Sequence, residues 1–180
     1  MAKQVRTVYG SALFAAAHDS GRLSEVREQA EVIVHVLQEN SDFLRLLTHP
    51  EITLPEKQGM VNEVFGGTAD PLILGIIDTL LEKEHGSELE YVLERFIDQA
   101  LEEERIGVAF VTSAAELTDD QKERIRQKLL DTTEYTSMRV KYSVDPGLIG
   151  GLVIQLGDRV VDSSISSKLS TMKHSLEAGL

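Results

Sequence analysis

The sequence predicts a mixed fold: an all-α bundle of six helices over residues 1–105, then a small α+β domain over residues 106–180. Three observations carry this reading. Six stretches with apolar residues three and four apart follow one another in the first part. After "EEERIG" at 102–107 the apolar period changes from that of a helix to that of a strand. Charge divides at the same place: residues 1–105 carry 9 Lys and Arg against 20 Asp and Glu, whereas residues 106–180 carry 9 against 10.

The helices follow in order. Val5, Val8, Tyr9, Ala12, Leu13 and Ala16 share one face, and Gly21 ends that element. Ser24 is the expected cap of a second helix with Val26, Ala30, Ile33, Val34 and Leu37 as its stripe. Ser41 is the expected cap of a short third, which Pro50 stops. "TLPE" at 53–56 reads as a capping box for a fourth helix carrying Met60, Val61, Val64 and Phe65. Asp70-Pro71 places a cap and then proline at the first helical position of a fifth, with Ile73, Ile76, Ile77, Leu80 and Leu81. "SELE" at 87–90 reads as another capping box, opening a sixth with Leu89, Val92, Leu93, Phe96, Ile97, Ala100 and Leu101. Short connections predict antiparallel neighbours throughout.

In the second part, Val108, Phe110 and Thr112 alternate with Ala109 and Val111 as a strand. "TDDQ" at 118–121 caps a helix running to about Thr132. Met138–Val144 and Leu148–Leu156 read as strands, and Gly157-Asp158 as a two-residue hairpin turn. That turn pairs Leu156 with Arg159, Ile154 with Val161 and Leu152 with Ser163, with Ile154 and Val161 toward the core. Val153 and Val160 fall on the opposite face. A last helix from about Ser164 carries Ile165, Leu169, Met172 and Leu176 on one stripe.

Composition excludes several classes of function. The chain of 180 residues has no cysteine, so disulfides and thiolate chemistry are out. A net charge of −12 and 5% aromatic residues disfavour nucleic-acid binding. No run of about 18 apolar residues exists, so no membrane insertion is expected. The alanine-rich start, interrupted by Tyr9-Gly10-Ser11, is not expected to be a removable leader.

The glycine-rich stretch "VDPGLIGGLVIQLGDRVVDSS" from Val144 to Ser164 raises the question of a phosphate cradle. Its glycines precede a strand and not a helix, and no Gly-Lys-Ser or Gly-Lys-Thr occurs, so turns and close backbone packing are expected instead. None of His18, His35, His49, His85 and His174 lies within five residues of another, so no helical metal-ligand pair forms in sequence. No cofactor, small-molecule ligand or catalytic residue is expected. The residues point to a protein that binds other proteins.

The same stretch resembles the C-terminal signature of the delta subunit of F-type ATP synthase, the bacterial counterpart of the mitochondrial oligomycin-sensitivity-conferring protein. The matching residues are Gly150-Gly151, Gly157-Asp158, Asp162, Ser164-Ile165 and Lys168-Leu169. "YGSALFAAA", with Tyr9, Ala12, Leu13 and Phe14, is similar to the family's opening, and "VTSAAELTDDQKERI" to its strand, Ser-Ala and capped helix. The family commonly has glycine after the aspartate where this chain has Ser163.

The resemblance implies a non-catalytic stator subunit, peripheral on the cytoplasmic face of the cell membrane. The bundle would receive the N-terminal helices of the alpha subunits, and the C-terminal domain would hold the b subunits of the peripheral stalk. For the bundle it points to the first and fifth helices: Tyr9, Ala12, Leu13, Ile73, Ile76, Ile77 and Leu80. For the C-terminal domain the candidates are the hairpin's second face and the last helix: Val153, Val160, Leu169 and Met172. A free-standing helical adaptor outside any ATP synthase is the alternative.

Overall fold

The computed structural model describes residues 2–178, with side chains from residue 4 to 172. The side chains of His174 and Leu176 therefore lie outside the described residues. The chain forms two compact units that divide between Glu103 and Glu104, and its fold is mixed, helices first and a sheet after.

The first unit holds α1 (Ala2–Asp19), α2 (Leu23–Glu39), α3 (Ser41–Thr48), α4 (Leu54–Phe65), α5 (Pro71–Glu82) and α6 (Leu89–Glu103). Its core is drawn from one stripe of each helix, with Phe96, Val92 and Leu93 of α6 and Ile73, Ile77 and Leu80 of α5 fully enclosed. Each such side chain contributes roughly 1.5–3 kcal/mol by leaving water.

Local capping chemistry holds where its spacing is complete. The Thr53 amide donates to the Glu56 carboxylate at 2.9 Å, which closes the box at the start of α4. Asp70 accepts from the Leu72 amide at 2.9 Å at the start of α5. The three serine caps do not form. Ser24 sits inside the first turn of α2, where Arg22 precedes the helix, and Asn40 precedes α3 in place of Ser41. Ser87 lies in a single 3-10 turn, Gly86–Glu88, that precedes α6. Glu90, the second member of that box, accepts from Gln38 of α2 at 2.9 Å instead, while Glu88 reaches across to Arg6 of α1.

That contact reveals a departure from a wholly antiparallel bundle. Arg6 meets Glu88, Gly10 lies against Val92 and Arg95, and Ser11 Oγ donates to Gln99 at 3.2 Å. Residue numbers rise together, so α1 and α6 run in the same direction. Gln38 near the end of α2 donates to Glu90 near the start of α6, so α2 runs against it. Helix α6 is thus the central member, packed on both sides. The close crossing needs Gly10: a Cβ there would stand 3.0 Å from Arg95 Cγ and 3.2 Å from the Val92 carbonyl oxygen. The Arg6 guanidinium completes the contact, 3.7 Å above the Tyr91 ring.

The second unit is a sheet of four strands in the order β2-β1-β3-β4. These are β1 (Ile106–Ser113), β2 (Ser137–Val144), β3 (Leu152–Leu156) and β4 (Arg159–Asp162). Helix α7 (Asp119–Thr132) links β1 to its parallel neighbour β2, and α8 (Ile165–Ala178) follows β4. Thr118 caps α7, its amide donating to Gln121 at 2.9 Å.

The hairpin register is as the turn predicts, with Leu156 opposite Arg159 and Ile154 opposite Val161. Two expectations are corrected. Val161 does not face a core; it is 59% exposed, because among the described residues nothing covers β4 on that side. The third strand begins at Leu152 and not Leu148, because the preceding residues make a 3-10 turn and then reverse, with Ile149 at φ 64 and Gly151 at φ 83.

Gly151 is irreplaceable on two counts. Its φ is left-handed, and a Cβ would come within 2.4 Å of the Ser163 carbonyl oxygen. Gly151→Ala is expected to cost roughly 1–3 kcal/mol or more and to be read as a lowered unfolding midpoint of the second unit. Gly10→Leu is expected to destabilise the first unit by about 1–3 kcal/mol through overpacking against α6, measured by denaturant titration. Both predictions fail if the midpoints are unchanged.

Candidate protein-docking surfaces

The residues expected to meet a partner separate by burial. Leu13, Ile73, Ile77 and Leu80 are each 1% exposed or less and belong to the core of the first unit. On a rigid bundle they cannot touch another chain, and the candidate surface narrows to the rest. Ala12 is exposed, while Tyr9 and Ile76 are half-buried with one side packed on the core. Val8, 62% exposed, was not among the expected site residues. Yet Val8, Ala12 and Ala15 lie four and three apart and form an open apolar stripe on α1. That spacing was readable, but the inner stripe of the same helix is equally regular. Helix α5, packed against α1, adds Ile76 and the open Gly75 beside it.

The bundle's electrostatics run along α6. Glu90, Glu94, Asp98 and Glu102 recur every fourth residue, so each carboxylate neighbours the next. Burial, then repulsion from Glu90 and Asp98, raises the Glu94 pKa above the ordinary range. Burial likewise raises that of Asp98, with Glu102 adding to it and Arg95 opposing. Among the described residues no group of three or more His, Cys, Asp and Glu could hold a metal ion.

In the second unit, Val153 is half-buried and Val160 is 60% exposed. Register places both on the sheet face that also carries Phe110, which is 47% exposed with the Lys141 ammonium 5.6 Å from its ring. Leu169 and Met172 are 53% and 62% exposed on α8. Ile149 is 65% exposed. Its positive φ, unusual for a branched side chain, has no signal in the sequence.

The glycine stretch is structural. The Asp145 carboxylate accepts from the Gly147 amide at 2.8 Å and closes the turn. Asp162 accepts from the Ser164 amide at 2.8 Å and from Ser167 Oγ at 2.6 Å, and Ser164 Oγ accepts from the Ser167 amide at 3.2 Å. These bonds, led by that from the Ser167 hydroxyl, hold the Asp162 pKa below the usual carboxylate range. They fasten the start of α8 to the end of β4.

A helical unit and a sheet unit, each showing an apolar surface and joined in one chain, define a class: a two-unit protein-docking subunit. The comparisons with known proteins place it further. The family model described as ATP synthase delta (OSCP) subunit matches residues 5–176. The ATP synthase subunit delta of Lachnoclostridium phytofermentans is 39% identical over 176 residues, 98% of this chain and 97% of the relative. That of Desulforudis audaxviator is 34% identical, covering 93% of this chain and 92% of the relative. A chain in the cryo-EM structure of the Toxoplasma gondii mitochondrial ATP synthase hexamer shares the fold, with a TM-score of 0.78 and 21% identity over 97% of this chain and 98% of that one. The chain belongs to the ATP synthase delta (OSCP) subunit family.

The Asp162 arrangement yields a pH dependence. A carboxylate with a depressed folded pKa stabilises above its unfolded value of about 3.9, and that contribution is lost as pH falls through the folded value. Asp162→Ala is expected to speed amide hydrogen exchange at Ser167 and Lys168 near neutral pH, with the wild type converging on the variant in acid. Equal exchange in the two proteins at neutral pH would refute this role.

Proposed function

We propose that this chain is the stator connector of an F-type ATP synthase, tying the catalytic head to the peripheral stalk so that the head does not turn with the rotor. The observation that carries this reading is that each unit keeps an apolar surface open: Val8 and Ala12 on the first, Val160, Leu169 and Met172 on the second. A connector needs one docking surface for each body that it joins, and tight static association needs apolar contact with a polar rim.

In this reading the first unit receives the N-terminal helices of the alpha subunits through Tyr9, Ala12 and Ile76. The second holds the b subunits through Val153, Val160, Leu169 and Met172. The chain has no active site of its own and works at the cytoplasmic face of the membrane. Family membership supports this reading, and no described helix is long and apolar enough to cross a membrane. The free-standing adaptor gains no support from the relatives found.

Half-buried Ile76 offers the test, because a charge there meets a partner before it meets the core. Ile76→Asp is expected to weaken binding of an alpha-subunit N-terminal peptide by about tenfold or more in calorimetry while circular dichroism stays unchanged. Undiminished affinity, or no heat with the wild type at micromolar concentrations, would count against the proposal. A loss of helical signal would place Ile76 in the core.

A further inference from the structure

A cleft of about 570 Å3 opens in the first unit where the end of α3, the start of α4 and the turn after α5 come together. Its volume falls in the range of about 300–1,000 Å3 that small-molecule sites occupy. Leu47 and Leu81, 1% and 6% exposed, give it an apolar floor, and Ile52 and Leu54 extend the apolar lining. The same lining carries three charges: Lys57 on the α4 side, Glu82 and Glu84 on the α5 side. None of these residues belongs to either docking surface.

Each charge stands where local physics disfavours it. Lys57 is the fourth residue of α4, near the positive end of that helix's dipole. Glu82 is the last residue of α5, at the negative end, and α5 has no base in its last turn to offset it. Glu84 follows at φ 59, a left-handed backbone that suits glycine and strains a residue with a Cβ. No ion pair compensates. Among the described residues Lys57 meets no carboxylate, and Glu82 and Glu84 meet no cation, although all three line one cavity. Lys57 is nonetheless half-buried. Departures from local preference that gather around a single cavity mark a functional site better than they mark a stable one.

We propose that this cleft binds a short apolar peptide of dipeptide size by its two charged ends. Its carboxylate pairs with Lys57, its ammonium with Glu82 and Glu84, and its side chains lie on Leu47, Leu54 and Leu81. A ligand of one sign would satisfy one wall and be repelled by the other; a zwitterion satisfies both. Two extended residues span about 7 Å, enough to bridge charges that stand too far apart to pair directly. The apolar floor supplies the remaining attraction.

The test uses the full chain and leucyl-leucine. Calorimetry is expected to give a dissociation constant of about 0.1–1 mM. N-acetyl-leucyl-leucine, which lacks the ammonium, and leucyl-leucine amide, which lacks the carboxylate, should each bind about tenfold more weakly, and so should diglycine, which lacks the apolar body. Lys57→Gln should bind the free acid and the amide alike. The double variant Glu82→Gln, Glu84→Gln should bind the free and the acetylated peptide alike. Glu84→Gly should raise the unfolding midpoint by relieving the left-handed strain, yet weaken leucyl-leucine. No heat at millimolar peptide would overturn the proposal, as would equal affinities for the four peptides. So would amide shift perturbations that fall outside residues 47–57 and 81–87. A lowered midpoint in Glu84→Gly would count against it too, because Glu84 would then be held by the fold and not kept for a ligand. The four-peptide comparison needs only the wild type, so it decides the matter even where a variant fails to fold.

Discussion

Burial of α6 between α1 and α2 is the contact on which the first unit depends. Its face from Leu89 to Ala100 is closed from water on both sides. That enclosure needs α1 to come unusually near, which Gly10 permits by presenting no side chain to Val92 and Arg95. Once α1 and α6 lie together in the same direction, the remaining helices have limited places to go. Asp70 then serves as a second tie. It caps α5, pairs with Arg22 between α1 and α2, and its amide donates to Gln29 of α2 at 2.6 Å. One residue thus ties α5 to α2 and to the connection before it, which is why a carboxylate only 7% exposed is tolerated there.

The second unit follows a different economy. Its sheet buries small residues, Gly107, Ala109 and Val111, under α7 and leaves Phe110 outside. A face of small side chains lets the helix approach the sheet closely, but it gives a thin core. Apolar residues stay exposed on both sheet faces and on α8: Phe110, Val160, Val161, Leu169 and Met172.

Much of the helical architecture was legible because its causes are local. The Thr53, Asp70 and Thr118 caps each depend on residues within four positions, and so did the Gly157-Asp158 turn with its register. At Ser87 a nonlocal contact competes with the cap: Glu90, the second member of the expected box, accepts from Gln38 of α2. The docking residues were only partly legible. Ile76 and Ile77 are adjacent and chemically identical, yet one is half-buried and the other has no exposure. Periodicity identifies a helix's apolar faces; it does not say which one the neighbouring helix covers.

By itself the sequence determined where the elements lie, the change from helical to strand period near Ile106, and the structural nature of the glycine-rich stretch. These rest on backbone preferences and side-chain spacing that act over a few residues. Only the tertiary structure decided that α1 runs with α6, that Leu13, Ile73, Ile77 and Leu80 are core, and that half of one sheet face stays open beside α7. Those outcomes depend on which surfaces meet across the chain, and whether a side chain is buried is a property of the meeting and not of the residue.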